Sequence, residues 1–320
     1  MLLTAPLAFL AVGAGFAAQG LLQPGVPKSH GDLLDALIAT PEATSLDTGT
    51  TISQGRSDDA LAATGIRAQR AAAGGSMAEP VAGPEVPLEI RVALLKLSAS
   101  PQLTASGSWQ LSDRQGRVLQ RGGAGEAADV AAALGSQSEV WLETGSGSQL
   151  LADGRPYAGR FRVLRAADGV QVINHLPLES YIASVVGGEM PSHWNIEALR
   201  AQAVAARSYA MAHMARPADA HWHLGDTTRW QNYTGLEAVS APTREATAST
   251  AGVILSYQGG IVESLYAATQ QIVDEAHSHL GASMSQTGAQ ELAQQGLRYN
   301  EILGRYYQGA SLARLQAGAG

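Results

Sequence analysis

The residues best placed to do chemistry stand together at Gly187-Gly188-Glu189-Met190-Pro191. An acid between paired glycines and Met-Pro predicts a helix–turn–helix corner. The glycines would end the first helix, since glycine accepts the left-handed cap. Val185, Val186 and Met190 can wall an apolar recess around the carboxyl. Desolvation in such a recess disfavours the charged form and keeps the acid protonated near neutrality. A protonated Glu189 can give its proton to the bridging oxygen of a glycoside. The bland alternative is a solvated carboxylate near a helix N-terminus, favoured there by the backbone dipole.

The elements around Glu189 follow from periodicity. Leu178, Tyr181, Ile182, Val185 and Val186 have helical spacing, with Asn174 or His175 ahead of it and Pro177 in the first turn. Asn195 can cap a second helix from Ile196 to about Met214. Its Leu199, Ala203, Ala206 and Ala210 line one face, and such small residues allow close helix contact. Upstream, alternating patterns predict strands at 88–94, 107–111, 118–121, 139–143, 160–166 and 170–173, with a short helix at 129–134. Asp-Gly turns stand at 153–154 and 168–169. Downstream, helices are expected at 243–250, 288–295 and 299–306, and strands at 253–257 and 261–266. The expected fold is α+β: a β-rich antiparallel lobe over 88–173, then a mostly helical lobe with a small sheet over 174–312, with 313–320 as a tail.

The rest of the chain carries other signals. Residues 1–18 are apolar without one charge and close on small residues, as a secretory signal or a membrane anchor does, so 1–22 are assigned to export. Residues 23–87 read as a flexible linker, with helices at 31–39 and 58–73 the alternatives to disorder. The net charge of −7 comes with no basic run, which argues against nucleic acid as a partner. With no cysteine, disulfides, thiolate metal sites and a Cys nucleophile are excluded. His213, His221, His223, His277 and His279 invite a metal reading, yet no third ligand has recognisable zinc spacing, and no metal is assigned.

Longer runs point to a family. Asn174-His-Leu-Pro-Leu-Glu-Ser-Tyr181 leads into Val185-Val-Gly-Gly-Glu-Met-Pro191. Glu197-Ala-Leu-Arg-Ala-Gln-Ala-Val-Ala-Ala-Arg-Ser-Tyr-Ala210 follows, then Asp226-Thr-Thr-Arg-Trp-Gln-Asn-Tyr-Thr-Gly235, Met284-Ser-Gln-Thr-Gly-Ala289 and Tyr306-Tyr-Gln-Gly309. In order and multiplicity these resemble the SpoIID/LytB family, over roughly residues 88–312. The resemblance implies a peptidoglycan lytic transglycosylase acting on glycan strands stripped of stem peptides, with Glu189 at the family's catalytic position. Glu189 would protonate the oxygen between N-acetylmuramic acid and N-acetylglucosamine. The muramic C6 hydroxyl would attack the anomeric carbon, leaving a 1,6-anhydro end. That route needs no cofactor. A hydrolase would usually need a second carboxylate about 5–9.5 Å away, for which Asp226 is the candidate.

Seven further matched positions are candidate substrate contacts: Gln202, Arg207, Tyr209, Gln231, Tyr233, Ser285 and Gln286. Each has a structural alternative, above all a buried ion pair for Arg207. Trp194, Trp222 and Trp230 can stack on sugars or pack in the core. The resemblance implies that some members bind zinc through Cys and His just before the Gln-x-Tyr element; this chain has Gly225, Arg229 and Trp230 there, so no zinc is carried over. After Thr269 the family pattern has paired glycines and a long excursion, where this chain has Gln270-Gln271 and a short path to Met284. The alternative function is a non-catalytic wall-binding protein, or an activator of a peptidoglycan amidase. Either reading places the chain outside the cytoplasm, touching membrane only through its N-terminal segment.

Overall fold

A computed structural model describes residues 38–39, 75–135, 137–276 and 282–316. The fold is α+β. Its strands are β1 (Ile38–Ala39), β2 (Glu89–Ala93), β3 (Leu103–Ala105), β4 (Trp109–Ser112), β5 (Val118–Gly122), β6 (Glu139–Thr144), β7 (Leu150–Ala152), β8 (Arg155–Tyr157), β9 (Arg160–Ala166) and β10 (Gly169–Pro177). They continue as β11 (Leu224–Gly225), β12 (Val253–Tyr257), β13 (Gly260–Ile261), β14 (Leu265–Ala267), β15 (Ser283–Ser285) and β16 (Ser311–Leu315). The helices are α1 (Val130–Ala133), α2 (Leu178–Glu189), α3 (Ile196–Ala215), α4 (Ala241–Ser249), α5 (Gln270–Ala276), α6 (Gln286–Gln294) and α7 (Tyr299–Tyr306).

The first lobe is a seven-stranded sheet in the order β11-β2-β10-β9-β6-β4-β5, with β3-β7-β8 as a small second sheet. All its pairs are antiparallel except β11 with β2. Alternation works as expected. Ile90, Val92, Val140, Leu142, Phe161, Val163 and Val172 face the core, while the residues between them face outward. Asp153 and Gly154, both at positive φ, make the two-residue turn between β7 and β8.

Two boundaries at the site differ from expectation. β10 runs on to Pro177, because residues 173–177 pair with β2. Helix α2 therefore starts at Leu178. More telling, Gly187 and Gly188 do not end α2, which continues to Glu189. Their role is close approach. A Cβ at Gly187 would overlap the Ala238 carbonyl oxygen, and one at Gly188 the Asn232 carbonyl oxygen. The loop 231–238 lies directly on the helix because no side chain keeps it away.

Helix α3 is the buried centre of the second lobe, with Asn195 capping it through the Glu197 N–H at 2.9 Å. α2, α4, α6, α7 and β12 pack around it. The strand expected at 261–266 divides. β13 pairs with β12 in the sheet β1-β16-β12-β13, and β14 pairs in parallel with β15. α5 occupies 270–276, where no helix was expected.

The presumed linker and tail are partly built into the fold. β1 is a strand, not the end of a helix, and pairs with β16. β16 takes in the start of the expected tail. Residues 75–87 lack regular structure, yet Met77 is buried, and Asn300 donates to Ser76 Oγ at 2.9 Å and to the Met77 carbonyl at 2.8 Å. The export segment 1–22 and the helix considered at 58–73 lie outside the described residues. Among those described, no helix is long and apolar enough to cross a membrane.

Candidate active site

Glu189 is the last residue of α2, where the chain turns through Met190 and Pro191. It is at the C-terminal end of a helix, not near an N-terminus. Exposed carbonyls there disfavour negative charge. The carboxyl is held from two sides by neutral donors. The Asn232 backbone N–H donates to Oε1 at 2.8 Å, and the Gln286 side-chain amide donates to Oε2 at 3.2 Å. Asn232 also satisfies the Gly188 carbonyl at 2.7 Å. Gln286 opens α6, whose N-cap is Ser285, accepting from the Gly288 N–H at 3.1 Å.

No Lys, Arg or His among the described residues approaches Glu189 within ion-pair distance of 4 Å. Burial pushes its carboxyl above the ordinary range, against the Asn232 N–H, the Gln286 amide and the more distant Lys96 charge. The group is thus an acid that two donors can still stabilise once it has lost its proton.

Helices α2 and α3 are joined by a buried network of phenols and amides. Tyr181 donates to Gln231 Oε1 at 2.8 Å. The Gln231 amide donates to the Ala206 carbonyl at 3.1 Å and to the Tyr266 hydroxyl at 2.8 Å. Burial raises the Tyr266, Tyr181 and Tyr209 phenols, and the Glu189 charge pushes each the same way.

The expected substrate contacts divide sharply. Gln286 donates to Glu189, while Tyr209 packs against the His213 ring at 4.4 Å. Arg207 does not line a groove. It is wholly buried and held bidentately by Glu179, Nε to Oε1 at 2.8 Å and a terminal nitrogen to Oε2 at 2.6 Å. Gln231 and Tyr233 are also core groups. Tyr233 donates to Asn174 Oδ1 at 2.6 Å and packs between the rings of Tyr157 and Tyr181. Ser285 is a buried cap. Gln202 is buried in α3, its amide without a hydrogen bond among the described residues.

Two residues escaped the sequence reading. Asn232 acts through its backbone, which side-chain type does not advertise. Lys96, in the loop after β2, donates to Asn232 Oδ1 at 3.3 Å. It also lowers the pKa of Asp226, which burial nonetheless raises. Asp226 Oδ1 accepts from the Leu95 N–H at 2.9 Å, and its other oxygen is buried with no hydrogen bond among the described residues.

Trp194 is half-buried against the core, and Trp222 meets Trp230 edge-on at 5.5 Å. Of the histidines, His223 faces Arg91, and His213 lies 3.7 Å from Glu263. His277 and His279 lie outside the described residues. Among those described, no three His, Asp or Glu converge on a common point.

The family described as stage II sporulation protein, SpoIID, matches residues 166–257, the stretch that carries α2, Glu189 and α3. A "Stage II sporulation protein D" of Bacillus subtilis is 32% identical over 31% of this chain and 33% of its own length. Over this stretch the chain is similar to the SpoIID/LytB family. An "Amidase enhancer" of the same organism is 31% identical over 32% of the chain and 14% of its own. An uncharacterised protein of Brachyspira hyodysenteriae is 35% identical over 40% of the chain and 35% of its own. The matched segment thus spans about a third or less of each of these curated relatives. Helix α5, Gln270–Ala276, lies beyond the matched stretch.

Proposed function

We propose that the chain is a peptidoglycan lytic transglycosylase that acts outside the cytoplasm on glycan strands freed of stem peptides. One observation carries this reading: Glu189 is an acid at a helix C-terminus, gripped by two neutral donors and, among the described residues, by no cation. In the first half of the reaction Glu189 gives its proton to the bridging oxygen between N-acetylmuramic acid and N-acetylglucosamine. The C–O bond breaks as the muramic C6 hydroxyl attacks the anomeric carbon. The Glu189 carboxylate then accepts the hydroxyl proton, so the acid is restored and no water is consumed. During the interval of negative charge, the Asn232 N–H and Gln286 amide hold the carboxylate. One carboxyl suffices for both steps.

The test is product chemistry. Purified protein is incubated with strands stripped of stem peptides, and soluble fragments are read by mass spectrometry. Fragments ending in 1,6-anhydro-muramic acid that vanish in Glu189→Gln are expected. Reducing ends formed with water, or products unaffected by that change, would refute the assignment.

The relative named amidase enhancer favours a second reading, a non-catalytic activator of a cell-wall amidase. Under it, the chain would bind sacculi and speed an added amidase without releasing anhydro ends.

A further inference from the structure

The outward face of the first-lobe sheet is more than a solvated surface. Register places His175 beside Arg91 and Arg160, and Trp141 beside Arg162. The Arg160 guanidinium lies 4.6 Å from the centre of the Trp141 ring, and His175 meets the same ring at 4.8 Å. Concavities of about 400 and 470 Å³ open here and share Glu143, Arg160 and His175, so they adjoin as one trough. The trough reaches Leu178 and Glu179 in the first turn of α2. Glu189 ends the same helix, about 16 Å further along its axis at 1.5 Å per residue.

One buried atom in the trough lacks a partner. His175 is 5% exposed, its Nδ1 is 2.9 Å from Glu89 Oε1, and its Nε2 is buried with no hydrogen bond among the described residues. An ionised carboxylate only accepts, so Nδ1 carries the proton and Nε2 offers a lone pair. Burial, reinforced by the Arg160 and Arg162 charges, holds the ring below its ordinary pKa and neutral. Stranding such an acceptor is unfavourable unless a ligand donates to it.

The cations are similarly available. Arg114 is largely exposed, and its one ion-pair contact is to Glu139 at 3.9 Å. Arg160 is about half exposed, and its pairs with Glu89 and Glu143 are 3.3 and 3.5 Å long. Exposed pairs of this kind contribute little and can be exchanged for ligand groups. A simple anion would answer the arginines and leave the His175 lone pair unmet. A simple cation would do the reverse. The trough fits a ligand that carries carboxylates and hydroxyl or amide donors on one chain.

We propose that this trough is a glycan-holding site separate from Glu189. Arg114 and Arg160 take the muramic carboxylate, and His175 Nε2 and Glu143 accept from sugar hydroxyls or acetamido N–H groups. The identity of the polymer rests on the transglycosylase reading.

The test separates the two ideas. Strands freed of stem peptides are titrated into full-length Glu189→Gln protein, with and without Arg114→Ala and Arg160→Ala. Turnover is measured with the same arginine changes in the active chain. Arg114 is exposed and Arg160 about half exposed, and far-ultraviolet circular dichroism checks folding. The double change is expected to weaken strand binding about tenfold and to raise KM with kcat unchanged. A conservative Arg160→Lys should recover part of the binding. Unchanged strand binding, with anhydro products still dependent on Glu189, overturns the trough and leaves the enzyme standing. Strand binding that falls with the arginines, in a chain that yields no anhydro products, supports the trough and sinks the enzyme. Equal loss of affinity for neutral chitin oligomers, which lack the carboxylate, overturns the assigned roles of the arginines.

Discussion

Helix α2 carries a glutamate at each end, and the two are used in opposite ways. Glu179 lies in the first turn, where the helix dipole favours negative charge. It accepts two bonds from Arg207 and a third from the Gly252 N–H at 3.1 Å. Glu189 lies at the last residue, where the dipole opposes charge, and it meets a backbone N–H and an amide. Residue type is identical, and so is the supporting helix. What differs is the sign of the helix end and whether a full cation is present. The first carboxylate is fastened as an ion, and the second is left free to exchange a proton.

Removing the cation at the first end should have the largest effect. Arg207→Leu leaves Glu179 without its cation, with only the Gly252 N–H, and strands the Val253 carbonyl, to which Arg207 donates at 3.0 Å. Breaking a buried pair from one side costs about 3–5 kcal/mol. Denaturant unfolding should show that loss, and pairing the change with Glu179→Gln should recover part of it. An Arg207→Leu protein of unchanged stability and weakened glycan binding would reverse the comparison, making Arg207 a substrate contact after all.

Next in size is Glu189→Gln, expected to reduce anhydro-product formation by about 10²–10⁴-fold. Its effect on stability should have the opposite sign to that of Arg207→Leu. The folded carboxyl ionises at higher pH than the unfolded one. Between those two values the native state binds more protons, so stability falls as pH rises through that window. Glutamine removes this penalty, and the variant should be at least as resistant to unfolding at neutral pH. Below the unfolded carboxyl range the advantage should vanish. A destabilised Glu189→Gln at neutral pH would mean that the charge, not the proton, is what the site holds.

These contrasts show where sequence was informative. Amphipathic alternation marked β2 and β9 almost to the residue, because one-sided burial writes itself into period two, while β12, buried on both faces, was marked by its short apolar run. Asn195 announced α3 by cap chemistry. Glu189 stood out through its glycine and Met-Pro flanks, yet those glycines were misassigned. Cap and close-approach glycines look alike in sequence, and only the loop lying on α2 distinguishes them. Arg207 and Gln231 were matched motif positions, and a motif does not say whether its polar groups face a ligand or the core. Lys96 and Asn232 were invisible for another reason: one arrives through tertiary folding, and the other contributes only its backbone. β11 and β15 were too short to show a period.

The packing between the two ends offers a smaller lever. In Gly188→Ala the new methyl must displace the Asn232 carbonyl. Overpacking of this kind costs about 1–3 kcal/mol, within reach of thermal unfolding. Because Asn232 donates to Glu189 from the same loop, product formation should fall too. A stability loss with full activity would show that the Asn232 contact does not matter to the acid.

The smallest expected effect tests the grip on Glu189 itself. The Gln286 amide stabilises the ionised carboxyl, so Gln286→Leu should raise the Glu189 pKa further. The form that donates the proton would then persist to higher pH, and the alkaline limb of the kcat/KM profile should move upward. The carboxylate formed midway would lose one of its two donors, so the plateau should drop while the limb shifts. Lys96→Met should move the limb the same way and less, since that charge reaches Glu189 across Asn232. A limb that stays fixed in both variants would detach the observed titration from Glu189. The proton donor would then have to be sought elsewhere, with Asp226 the first alternative, because burial raises its carboxyl as well.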